Sequence, residues 1–208
     1  MTTNTKTMTI SLSNTRYMAE LALMVAIILL MSFTPLGYIR TPGLAITLLT
    51  IPVTVGAIIL GPKGGAVCGA AFGLTSFSQS FSSAFGTMML SINPTGAFIT
   101  TVITRILEGW LCGLIFSALH KNSSTRKLSY YIASLACPVL NTVLFMGSLV
   151  LFFYHTDYVQ NMAAALGAAN PFVFVAAFVG LQGLVEAVVC FLAASVVSRT
   201  LAAALHRS

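Results

Sequence analysis

Charge is what this sequence has least of. Only 7% of its 208 residues are Asp, Glu, Lys or Arg, and only four are acidic. An average soluble domain carries about 25% charged residues, so a surface built to dissolve in water is excluded. No GxxxxGK[ST] run occurs. The nearest stretch, "GPKGGAV", lacks both the spacing and the hydroxyl, which leaves the chain without a P-loop for ATP hydrolysis. Cys68, Cys112, Cys137 and Cys190 are widely separated in apolar stretches, with no CxxC or Cys/His spacing. They read as small buried side chains, and not as a redox pair or zinc site. His155 and Asp157 have no third partner near them and read as a solvated loop. No metal, cofactor or catalytic set is therefore expected. The net charge of +6 comes without a basic patch interleaved with aromatics, so nucleic acid is not an expected partner.

What the chain does contain is hydrocarbon: 57% of its residues are hydrophobic. The apolar runs approach the roughly 20 residues that cross about 30 Å of bilayer core. An all-α integral membrane protein follows. Six spans are expected, at about 16–34, 44–60, 66–85, 95–119, 128–153 and 171–201, separated by Pro, Gly and polar clusters. The first run, "YMAELALMVAIILLMSF", is long and lacks a small-x-small cleavage site after it, so it reads as a retained span. With this count, Lys6, Arg16, Lys63, Lys121, Arg126, Lys127, Arg199 and Arg207 share one side of the membrane. Arg40 lies opposite and Arg105 lies inside a span. That bias places both termini in the cytoplasm. Residues 1–15 and 202–208 are read as cytoplasmic tails around a transmembrane domain at 16–201.

Small residues recur at four-residue spacing: Gly65, Gly69 and Gly73 in span three, Gly109 and Gly113 in span four. Such spacing lets helix backbones approach closely where lipid supplies no hydrophobic drive. Ala19, Ala22 and Ala26 form a weaker series in span one.

Ionisable groups at membrane depth are costly and need a reason. Glu20 sits near the cytoplasmic end of span one, within reach of water. Arg105 lies about 15 Å below the outer end of span four, counting about 1.5 Å per residue. Glu108 is one turn below it, and Glu186 is in span six. Asn141 and Gln182 lie at comparable depth, and Gln79 and Asn93 lie nearer the outer surface. Two readings of Arg105 are compatible. It pairs structurally with Glu108, three residues on along the same helix face, or with Glu186. It also faces a cavity, where its planar guanidinium suits a carboxylate.

A small, very apolar, six-span chain with both ends cytoplasmic resembles the substrate-binding S component of energy-coupling factor (ECF) vitamin transporters. The runs that carry the resemblance are "SFTPLGYI", "ITLLTIPVTVGAIILGPKGGAVCGAAFGLTSF", "SINPTGAFITTVITRILEGWLCGLIF" and "NPFVFVAAFVGLQGLVEAVV". They look like the branch assigned to pantothenate uptake. The resemblance implies a vitamin cavity opening outward, capped by "TPLGYIRTPG" and "GTMMLSINP". It implies docking through Ala22 and Ala26 onto a membrane-embedded coupling subunit driven by two ATPase subunits, in a prokaryotic plasma membrane. Pantothenate carries one carboxylate, two hydroxyls and an amide, and its chemistry suits Arg105 for the carboxylate. Asn93, Asn141, Gln79 and Gln182 take the hydroxyls and amide, and Tyr38, Phe77 and Phe81 form wall and lid. Glu108 and Glu186 serve as structural counter-ions. Other readings are an S component for cobalamin, riboflavin or a pyrimidine precursor, a self-sufficient small transporter, and an intramembrane enzyme.

Overall fold

The computed structural model describes residues 5–40 and 45–204. It is helical apart from one short ribbon. Helix α1 spans Thr5–Ser32, and strands β1 (Tyr38–Arg40) and β2 (Ala45–Thr47) pair antiparallel with Tyr38 opposite Thr47. Then come α2 (Thr50–Ser80), α3 (Ala84–Ile92), α4 (Pro94–Phe98), a π-helical turn at Ile99–Ile103, and α5 (Thr104–His120). Helices α6 (Arg126–Phe153), α7 (Asp157–Ala165) and α8 (Pro171–Ala204) complete the chain. Among the described residues, five helices are long and apolar enough to cross a membrane: Asn14–Ser32, Thr50–Ser80, Pro94–His120, Arg126–Phe153 and Gly183–Ala204. The chain is thus an all-helical, multi-pass membrane protein in its gross architecture. Helix α1 begins at Thr5, inside the segment expected as a tail, although its membrane-length part starts at Asn14.

Helix α2 is not one rod. Gly61 adopts φ 77°, ψ −171°, a conformation that breaks the helix, and Pro62 opens the next arm. Positive φ is cheap for glycine, and proline fits the first turn of a helix, where its missing N–H costs nothing. The arms fold back on each other. A Cβ at Gly56 would lie 2.6 Å from the Cys68 sulfur, and one at Gly65 would lie 2.8 Å from the Ala57 Cβ. Along a straight helix, residues 56 and 68 would be about 18 Å apart. The arm at 50–60 is the most enclosed part of the bundle, with Pro52 to Ile58 all buried.

The second arm lies against α5 almost backbone to backbone. A Cβ at Gly65 would sit 2.3 Å from the Gly109 carbonyl oxygen, one at Gly69 would sit 2.1 Å from that of Arg105, and one at Gly73 would meet the Val102 Cα at 2.8 Å. The glycine series therefore packs within the chain. Two apolar clusters form the core. One gathers Ile28, Val53, Phe72, Phe116 and Tyr130 with the buried Cys68, Cys112 and Cys137. The other joins Met89, Met146, Leu149, Phe153 and Phe174. All four cysteines are buried and free.

Short polar caps set the ends of the helices around the second cluster. The Ser83 side chain accepts the Gly86 N–H at the start of α3. Asn93 accepts the Gly96 N–H at the start of α4, and Asn170 accepts the Val173 N–H at the start of α8. Each satisfies a donor that the helix itself leaves unpaired. Helix α8 is broken in turn at Gly180, with φ 41°.

Candidate functional site

A cavity of about 660 Å³ lies between the two clusters, with Phe72 of one and Met89 and Met146 of the other in its wall. The second arm of α2 contributes Phe72, Ser76, Gln79 and Ser80, a spacing that follows one helical face. Ser82, Ser83 and Phe85 come from the start of α3, Thr101 from the π-turn, and Arg105 from α5. Asn141, Thr142 and Phe145 project from α6, Phe178 and Glu186 from α8, and Tyr38 and Thr47 from the ribbon. The wall combines aromatic and methionine side chains with many hydroxyl, amide and charged groups.

Arg105 is 8% exposed. Its guanidinium carbon lies 4.8 Å from the Phe72 ring centre and 5.0 Å from that of Phe145, so the cation sits between two aromatic rings. The rings attract the charge through their faces. Nε and Nη1 have no hydrogen-bond partner. The nearest counter-charge is Glu108, whose Oε2 is 4.0 Å from Nη1. Glu108 is wholly buried. Its Oε1 accepts a 3.4 Å bond from the Cys137 thiol, and its Oε2 has none. Two local features fix the depth of Arg105. The π-turn just ahead shifts the helical register, and Gly69 admits the Arg105 carbonyl without a Cβ in the way.

Glu186 lines the same cavity but is held differently. Its Oε2 accepts the Thr47 backbone N–H at 3.1 Å, and its Oε1 accepts from Asn141 Nδ2 at 3.3 Å. The carboxylate thus ties the ribbon, α6 and α8 together. Gln79 donates to the Ser32 carbonyl at 2.8 Å and anchors the end of α1. Tyr38 stands beside Ser76 and Gln79, and burial pushes its phenol above the ordinary range, so it stays protonated and able to donate.

A family profile described as "ECF transporter, substrate-specific component" matches residues 16–198. The chain belongs to this family. A curated relative, the pantothenate transporter PanT of Leuconostoc mesenteroides subsp. mesenteroides, is 32% identical over 140 residues. That match covers 63% of this chain and 66% of the relative, so the chain spans slightly less than two thirds of the relative's length.

In this ECF substrate-specific component, the structure brings Arg105, Asn141, Gln79, Tyr38 and Glu186 to one cavity. It does not bring Asn93 there, because that side chain caps α4. Phe77 and Phe81 pack edge-to-face with each other, and Phe77 does so with Phe98, away from the cavity. The reason is helical arithmetic: positions 77 and 81 lie two residues, about 200°, from the cavity-facing Gln79. The Gln182 side chain lies outside the described residues. Glu186, expected as an ion-pair partner, instead accepts hydrogen bonds from Thr47 and Asn141.

Sequence reasoning missed Phe72, Phe145 and the serines of the mouth. The spacing of Phe72, Ser76 and Gln79 was a usable signal. Among the described residues no group of three His, Cys, Asp or Glu could hold a metal ion.

Proposed function

We propose that this chain is the high-affinity substrate-binding subunit of an ATP-driven ECF vitamin importer in a prokaryotic plasma membrane, and that its vitamin is pantothenate. The observation that carries this reading is the buried Arg105, which lines the cavity beside Phe72 and Phe145 while its Nε and Nη1 have no hydrogen-bond partner in the ligand-free protein. A carboxylate is the group that such a planar donor edge fits best. Asn141, Gln79, Tyr38 and the mouth serines offer partners for hydroxyls and an amide elsewhere along the same wall. The name of the relative from Leuconostoc mesenteroides agrees with that chemistry.

The chain crosses the membrane six times in this reading, with both ends cytoplasmic. The break at Gly61 supports reading α2 as two passes, with Lys63 at the turn on the same side as Arg126 and Arg199. Residues 1–15 and 202–208 are the tails. ATP hydrolysis belongs to two partner subunits, and a membrane-embedded coupling subunit docks on the exposed Ala22 and Ala26 of α1.

Native mass spectrometry of the purified protein tests the ligand directly, and bound pantothenate is the expected result. Arg105→Ala should weaken pantothenate binding by about tenfold or more, since a charge-assisted hydrogen bond contributes about 1.5–3 kcal/mol. Unchanged affinity in a folded variant would reduce Arg105 to a structural role.

A further inference from the structure

One guanidinium faces two carboxyl groups in this site. Arg105 is the single cation at the cavity among the described residues, while Glu186 lines it and Glu108 lies directly below. With both acids ionised the site is net negative before any ligand arrives. An anion entering it would be opposed by two charges and attracted by one.

The hydrogen bonds distinguish the two acids. Both oxygens of Glu186 accept from N–H donors, so a negative charge there has a hydrogen-bond partner on each oxygen. Glu108 has one long contact from a thiol and a bare Oε2, and its charge is supported by Arg105 alone. The ionisable groups facing Glu108 are Arg105 on its own helix, Cys137 on α6, and Glu186 and Cys190 on α8. Tyr38 of the ribbon faces Arg105. Helix α2, packed along α5, carries only Lys63 at its turn and the thiol of Cys68. None of these supplies a second cation near Glu108.

We propose that Glu108 takes up one proton when a carboxylate binds Arg105, so that this site binds an anion and a proton together. This rests on the assignment of Arg105 to the carboxylate of pantothenate. The ligand draws on the guanidinium that had balanced Glu108, and a buried carboxylate left without a counter-ion is strongly disfavoured. The proton comes from water at the cavity mouth and ends on Oε2, the oxygen without a partner. Protonation also turns that oxygen from a repelling acceptor into a donor on the Arg105 side. The charge of the complex then equals that of the ligand-free site.

Calorimetry of pantothenate binding at one pH in two buffers of different ionisation enthalpy tests this. The expected result is uptake of about one proton per ligand wherever Glu108 is ionised in the ligand-free protein. Affinity should then fall as pH rises, by up to about tenfold per unit, because the complex holds the extra proton. Uptake should vanish toward low pH, where Glu108 is already neutral. Glu108→Gln should bind with no buffer dependence and a flat pH profile. Glu186→Gln should keep the uptake, and if instead it abolishes uptake that persists in Glu108→Gln, the assignment is overturned. Binding by the wild type without proton uptake overturns the proposal and leaves the pantothenate reading intact. Failure of pantothenate to bind at any pH overturns both.

Discussion

Arg105 shows how a single charged residue can be legible in a sequence while its setting is not. A cation at membrane depth is conspicuous because hydrocarbon penalises it, and Glu108 three residues on marks a partner. The rings on either side of it come from α2 and α6, and no local pattern joins Phe72 to Phe145. The two rings hold the guanidinium at the cavity wall. Phe145→Leu keeps the apolar bulk and removes one of the two faces. It should weaken pantothenate binding by about twofold to thirtyfold, given cation–π contacts of about 0.5–2 kcal/mol, as titration calorimetry would show. Phe77 and Phe81 carry the opposite lesson. They were attractive as aromatic wall, but a helical face cannot hold both them and Gln79.

At the scale of elements, the small-residue series was legible and its role is now specific. Gly65, Gly69 and Gly73 let α5 lie almost backbone to backbone on α2, and Gly69 takes the carbonyl of Arg105 itself. Gly69→Leu should push α5 outward, cost about 1–3 kcal/mol of stability, and weaken ligand binding because Arg105 moves with its helix. Gly147→Leu on α6 is the control, since a Cβ there meets nothing within 4 Å. Thermal unfolding in detergent should separate the two variants clearly. The ribbon was not legible. Strands of three residues on either side of "TPGL" are too short to show an alternating pattern. What pins them is a carboxylate on α8, 139 positions away from Thr47. The start of α2 was placed too early for the same reason, because β2 occupies residues that look like the beginning of an apolar run.

On the scale of the molecule, composition alone pointed to the membrane class, and the distribution of Lys and Arg supports the proposed orientation. Neither could locate the cavity, which lies where two apolar clusters meet and depends on packing among distant segments. The outer face of α1 is the least covered of the candidate spans, with 11% of its membrane window buried against 61% for α2. Ala22 and Ala26 lie on it beside the exposed Leu23 and Leu30. Ala22→Trp should leave pantothenate binding unchanged and abolish ATP-driven uptake in vesicles holding the complete transporter. Uptake that survives would move the partner contact to another helix.

The short central arm has an electrostatic consequence of its own. Residues 50–60 extend only about 16 Å, and their first turn opens just below the ribbon, beside Cys190, whose thiol is 2.9 Å from Thr50 Oγ1. The aligned peptide dipoles of a helix leave roughly half a positive charge at that end. In this bundle, that end is enclosed by protein, with Leu49 and Thr50 fully buried. Glu186, bonded to Thr47 just ahead of the arm, sits where this backbone field favours an anion. The fold therefore supplies positive potential to the ribbon side of the cavity from the main chain, without a second basic side chain in the bilayer.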